Sequence, residues 1–132
     1  MPVGWLGLGA MGAPMAARAA RAGHVVLGYD VVPGRAALLA ADGVRPVDTA
    51  AAAVDGADLT VIMVATPEQV EQALFAPGGA AGALAAGRIV VVMATVGPEA
   101  VISAADRLAA GGVAVVDAPV SGARRGPPPV TC

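Results

Sequence analysis

Unbroken apolar runs recur along the chain at 3–8, 24–29, 59–64, 89–93 and 113–116, and a weaker one spans 44–47. Most are rich in β-branched residues, and none alternates cleanly between apolar and polar positions. Continuous apolarity marks strands covered on both faces, as in a parallel sheet, rather than strands with one wet face. Between the runs lie helix-compatible stretches at about 10–22, 33–41, 49–54, 67–75 and 98–110. Six strands alternating with helices predict an α/β fold, a doubly wound parallel sheet of order 3-2-1-4-5-6. Its ligand crevice is expected at the carboxyl ends of the strands.

The helix boundaries carry their own signals. Arg18 and Arg21 lie three apart, hence on one solvent face near the end of the first helix, where positive charge suits the helix dipole. Gly23 is placed to terminate that helix in the left-handed conformation. Thr66-Pro67-Glu68-Gln69 reads as an N-cap, a proline at the first helical position and a capping box closed by Gln69. Gly97-Pro98-Glu99 opens the last helix in a similar way. Alanine-rich 50–53 and the stretch 78–86 are low in complexity, but alanine favours helix and the glycines mark turns.

A chain of 132 residues suits one domain able to bury a real core. With 57% apolar residues and 2% aromatics, that core is built from Ala, Val, Leu, Ile and Met. The net charge of −2 offers no basic footprint for nucleic acid or an anionic membrane. A single cysteine, Cys132, and a single histidine, His24, exclude an internal disulfide and argue against a cysteine- or histidine-based metal site. Residues 1–17 lack charged side chains, yet they have no basic n-region and are interrupted by glycines, so they do not read as a signal peptide. No run of eighteen apolar residues suggests a membrane span, and the cytoplasm is the expected location.

The first apolar run leads into Gly7-Leu8-Gly9-Ala10-Met11-Gly12, and Asp30 closes the second run 18 residues after Gly12. Each part has a physical role in holding a dinucleotide. Gly7 allows a sharp turn out of a buried strand, and Gly9 allows the backbone to approach a pyrophosphate. Gly12 lets the following helix pack closely, so that its N-terminal N–H groups face the phosphates. Asp30, at the tip of the next strand, is placed to accept hydrogen bonds from the adenosine ribose. This is the Rossmann fingerprint, and the carboxylate predicts NAD in preference to NADP.

Further strings carry a resemblance. Gly-Leu-Gly-Ala-Met-Gly-Ala-Pro-Met-Ala (7–16), Ala-Gly-His-Val-Val (22–26) and Tyr29-Asp30 resemble the β-hydroxyacid dehydrogenase family, which includes 3-hydroxyisobutyrate dehydrogenase and tartronate semialdehyde reductase-type enzymes. Met63-Val64-Ala65, Ala94-Thr95-Val96-Gly97-Pro98 and Asp117-Ala-Pro-Val-Ser-Gly122 match its later motifs in order. The resemblance spans residue 3 to about 126. It implies the NAD(P)-binding half of an oxidoreductase acting on small β-hydroxy acids, homo-oligomeric in the family. It also implies that Val64, Ala65 and Gln69 line the adenosine side, that Thr95 lies near the nicotinamide, and that Ser121 and Gly122 hold substrate. Structural readings stand beside these: Gln69 as a cap, Thr95 as a cap for the Pro98 helix, and Ser121-Gly122 as an ordinary turn. His24 reads as a strand-entry residue rather than a base, and Asp117 as orienting a loop.

The departures are equally specific. The family's proton-transfer residue is a lysine followed a helical turn later by an asparagine, and this chain contains neither residue type. All eight basic residues are arginines, which stay protonated and cannot serve as the base. No catalytic residue is therefore assigned, and the family's all-helical C-terminal domain is not represented. Residues 1–123 are expected to form the NAD(P)-binding domain, and 124–132 an atypical proline-rich tail. Three prolines cannot feed a central strand. A truncation or slipped reading frame near 124–127 is the expected cause, since GC-rich codons read in another frame would give Ala-Ala-Gly-Asp-Leu. Two other classes compete: a non-catalytic NAD-binding regulatory module, and a methyltransferase, whose glycine turn usually lacks the equivalent of Gly12.

Overall fold

The computed structural model describes residues 1–118. Ser121, Gly122 and the tail at 124–132 lie outside the described residues. The strands are β1 (Pro2–Leu6), β2 (Val25–Tyr29), β3 (Arg45–Pro46), β4 (Leu59–Ile62), β5 (Ile89–Val92) and β6 (Ala114–Asp117). The helices are α1 (Gly12–Arg21), α2 (Ala50–Val54), α3 (Pro67–Phe75) and α4 (Pro98–Ala109). All strand pairs are parallel, in the order β3-β2-β1-β4-β5-β6. This is the doubly wound sheet that the apolar runs predict.

The central strands β1 and β4 are covered on both faces, which is why their sequences do not alternate. Toward the edge the cover thins, contrary to the two-sided burial expected of 89–93 and 113–116, and Ile89 of β5 and Val116 of β6 are exposed. On one face, Leu6, Ile62, Val90 and Val92 pack under Ala53 and Val54 of α2, Val70 and Leu74 of α3, and Val101, Ala104 and Leu108 of α4. On the other, Val3, Trp5, Val26 and Val61 pack with Leu8, Val44 and Ala16 of α1. Burying a Val, Leu or Ile side chain contributes about 1.5–3 kcal/mol each, so the stacked valines and leucines are the main source of stability. The exposed pair Arg107–Glu71 (2.8 Å) ties α4 to α3, and the same guanidinium lies over the Phe75 ring.

One expected helix is different. Over 33–41 the chain forms a 3-10 segment at Ala37–Asp42 instead of an α-helix. Val31 to Arg35 are taken up in turns, with the Val32 N–H bound to the Asp30 carboxylate, and little length remains for a nucleated helix. Leu38 is exposed and only Leu39 and the small Ala36 turn toward the core, too short an apolar stripe to support one. The weak strand at 44–47 shortens to Arg45–Pro46 at the sheet edge, where a proline is tolerated.

Candidate functional site

The turn from β1 into α1 is built by two glycines that the fold itself demands. Gly7 has φ +104°, and a Cβ there would collide with the Met63 carbonyl. Its N–H donates to the Tyr29 carbonyl (3.0 Å), which anchors the turn to the end of β2. A Cβ on Gly12 would strike the Gly7 carbonyl, so the first residue of α1 sits directly against the turn. Gly9 is different. A Cβ there would meet only the Arg35 Nη1, at 3.7 Å, an ordinary contact, and its φ is not positive. The fold does not need glycine at this position. The space above it is open, and a side chain would fill it.

α1 opens at Met11 without a side-chain cap; the Ala13 N–H donates to the Gly9 carbonyl (3.0 Å) and Pro14 carries no N–H, so the groups left to other partners are those of Met11 and Gly12. Opposite them lies Asp30, with its side chain only 6% exposed. Its Oδ2 accepts from the Leu8 N–H (2.7 Å) and its Oδ1 from the Val32 N–H (2.8 Å). The Arg35 Nη1 stands 3.4 Å from Oδ2. An ionised carboxylate has about four acceptor positions, so the two backbone bonds fix the group and Arg35 takes up part of the remainder, leaving capacity for a hydroxyl. Arg35 links the carboxylate to the open face of Gly9, because the same Nη1 approaches both.

These groups border a cavity of about 650 Å³ at the carboxyl ends of β1, β2 and β4. Gly7, Gly9, Ala10, Met11, Gly12, Asp30, Val64, Ala65 and Gln69 line it, as do Val31, Val32 and Arg35. Gln69 closes the capping box, and its Oε1 accepts from the N–H groups of Ala65 (2.7 Å) and Thr66 (3.1 Å). Capping and lining are thus one role, since the bond to Ala65 shapes the Val64–Ala65 wall. Two expected residues stand apart. The Leu8 side chain is buried in the core and only its N–H reaches the site, through Asp30. Thr95 is exposed beyond β5 and does not border the cavity. Nor does Thr95 cap α4: the N-cap is Gly97, which makes no side-chain bond. His24 is exposed at the entrance of β2, and Asp117 at the end of β6, both outside the cavity lining.

The sequence reading missed the far wall. Gln72 and Ala73 of α3 border the cavity, as do Ala50 and the loop 76–79. Gln72 lies one turn on from Gln69, and that spacing is a usable signal. The 76–79 loop has no comparable sequence signal, because it reaches the site through a tertiary bond from the Ala51 N–H to the Gly78 carbonyl (3.0 Å). A second groove, of about 570 Å³ between α3 and α4, presents Glu68, Glu71 and Glu99, a lining that repels phosphates.

Residues 2–128 match the family model described as the NAD binding domain of 6-phosphogluconate dehydrogenase. The chain belongs to this family. It is 33% identical to 3-hydroxyisobutyrate dehydrogenase from Pseudomonas aeruginosa over 120 residues, covering 91% of this chain and 40% of that protein. It is 36% identical to 2-hydroxy-3-oxopropionate reductase from Escherichia coli over 126 residues, covering 96% of this chain and 43% of that protein. The structure of Mycobacterium tuberculosis 3-hydroxyisobutyrate dehydrogenase with L-serine superposes with a TM-score of 0.83 at 34% identity, covering 91% of this chain and 40% of that one. The chain thus spans about 40% of the length of such relatives. The resemblance to hydroxyacid dehydrogenases holds, and membership in an NAD-binding family disfavours the methyltransferase alternative. No helix among the described residues is long and apolar enough to cross a membrane.

Proposed function

We propose that this domain seats NAD, and that in a full-length protein it serves the oxidation of a small β-hydroxy acid. The observation that carries the reading is the open face of Gly9 beside the backbone-fixed carboxylate of Asp30. A pyrophosphate over Gly9 would meet the uncapped N-terminus of α1, where N–H groups and the helix dipole favour anions. A ribose hydroxyl would donate to Asp30. The cofactor supplies hydride transfer; the residues of this chain bind and orient it.

NAD is favoured over NADP because Asp30 stands where a 2′-phosphate would approach. Two like unit charges 4 Å apart repel by about 4 kcal/mol in surroundings typical of a protein surface. Arg35 offsets part of this repulsion, so the preference is partial. Ser121 and Gly122 are proposed to hold substrate, as their family motif implies, and Thr95 to approach the nicotinamide from outside the cavity. Titration of the purified chain with NADH, NADPH and S-adenosylmethionine tests the assignment. NADH is expected to bind more tightly than NADPH, and S-adenosylmethionine not at all. Absence of NADH binding by folded protein rejects the reading.

A further inference from the structure

We infer that the groove between α3 and α4 is the seat of this chain's own segment 124–130, Arg-Arg-Gly-Pro-Pro-Pro-Val, which lies outside the described residues.

Groove and segment are complementary in charge and in apolar character. Val70, Phe75, Val96, Ala100 and Ala104 give the groove its apolar lining, and Glu68, Glu71 and Glu99 give it negative charge. One end already shows how a guanidinium is received. The Arg107 Nη1 donates to both oxygens of Glu71 (2.8 Å each), and the same guanidinium lies over the Phe75 ring. Glu68 and Glu99, in the first turns of α3 and α4, offer carboxylates of the same kind at the other end. Arg124 and Arg125 supply two adjacent guanidinium groups, and the prolines behind them have a fixed φ and no N–H to satisfy. Proline-rich segments of this composition dock in apolar grooves that carry aromatic side chains, at a low entropic cost.

The chain leaves the sheet within reach of the groove. The Ala118 N–H donates to the Val92 carbonyl (2.9 Å), so the last described residue stands beside the carboxyl end of β5. Val96 of the groove follows shortly after Val92, and Glu68 and Glu99 lie at this same end of the sheet, where both helices begin. Extended backbone over 119–124 spans up to about 20 Å, several strand spacings of ~4.8 Å. The tether makes the encounter intramolecular, so contacts too weak to hold a free peptide suffice in cis.

The test attaches a nitroxide to the single cysteine, Cys132, in the full 132-residue chain and reads backbone amide signals by NMR. Amides of 67–72 and 99–104 are expected to lose most of their intensity through paramagnetic broadening, while those of α1, packed on the opposite face of the sheet, keep theirs. Arg124→Glu combined with Arg125→Glu alters no described residue and should abolish the broadening. Glu68→Gln combined with Glu99→Gln should do the same from the side of the groove. Absence of broadening at α3 and α4, equal broadening of α1, or broadening that survives either pair of substitutions overturns the inference. So does broadening of the same amides in an isotope-labelled chain mixed with a separate nitroxide-bearing copy, which would place the segment in trans.

Discussion

The three glycines of the turn make different demands, and substitution separates them. Gly9→Val places a branched side chain in space that holds only the mobile end of Arg35, at 3.7 Å from the new Cβ. The backbone there is not in the left-handed region, so the folded state should change by no more than about 0.5 kcal/mol, as for an ordinary surface substitution. The same side chain fills the approach of the pyrophosphate, and loss of the phosphate contacts should weaken NADH binding at least about 100-fold, or roughly 2.7 kcal/mol. Gly7→Ala does the reverse. It forces φ +104° on a residue with a Cβ and drives that Cβ into the Met63 carbonyl. The conformation alone costs about 1–2 kcal/mol, and the collision adds to it. Thermal unfolding by circular dichroism and NADH titration by fluorescence read the two effects separately. A Gly9→Val protein with native stability and unchanged NADH affinity would refute the assignment of the pyrophosphate to Gly9. Severe destabilisation of the same variant would refute the view that only the ligand requires glycine there.

Three further outcomes are expected. Asp30→Asn keeps an acceptor for the Leu8 N–H but removes the charge, so the NADPH-to-NADH affinity ratio should rise about tenfold or more; an unchanged ratio in paired titrations rejects Asp30 as its determinant. Thr60 is 1% exposed in β4 and its Oγ1 has no hydrogen-bond partner, so Thr60→Val should stabilise the fold by about 1 kcal/mol in urea denaturation, and a loss of stability would show that the hydroxyl is satisfied. The 132-residue chain, which lacks any lysine, should show negligible NADH formation from a panel of small β-hydroxy acids even when it binds NAD. General-base catalysis alone is worth about 10²–10⁴-fold, and turnover of 1–10³ per second, roughly the ordinary enzyme range, would mean that another residue supplies it.

The sheet was legible because parallel strands buried on both faces must be continuously apolar, and 3–8 and 59–64 have no other plausible use for such runs. The start of α3 was legible because Thr66, Pro67 and Gln69 act locally, within one helical turn. The 3-10 segment at Ala37–Asp42 was not, since alanine-rich composition favours helix and only the tertiary exposure of Leu38 shows that the packed stripe is too short to support one. The far wall of the cavity was hidden for a similar reason. Residues 76–79 face the site through a bond to α2, and nothing within a few residues of Gly78 encodes that contact.

The glycine fingerprint divides along the same line. Gly7 and Gly12 are required by backbone collisions internal to the fold, so their presence predicts a strand–turn–helix unit whatever it binds. Gly9 has no such internal reason, whereas Asp30 has one, because its carboxylate satisfies the Leu8 and Val32 N–H groups and ties the turn to the end of β2. A purely structural turn would gain stability by placing a side chain over Gly9, since alanine is favoured over glycine by reduced unfolded-state entropy wherever the native conformation permits it. Its retention at a position that tolerates a Cβ is the part of the motif that points to a ligand. Of the three glycines that spell the signature, Gly9 carries the functional argument.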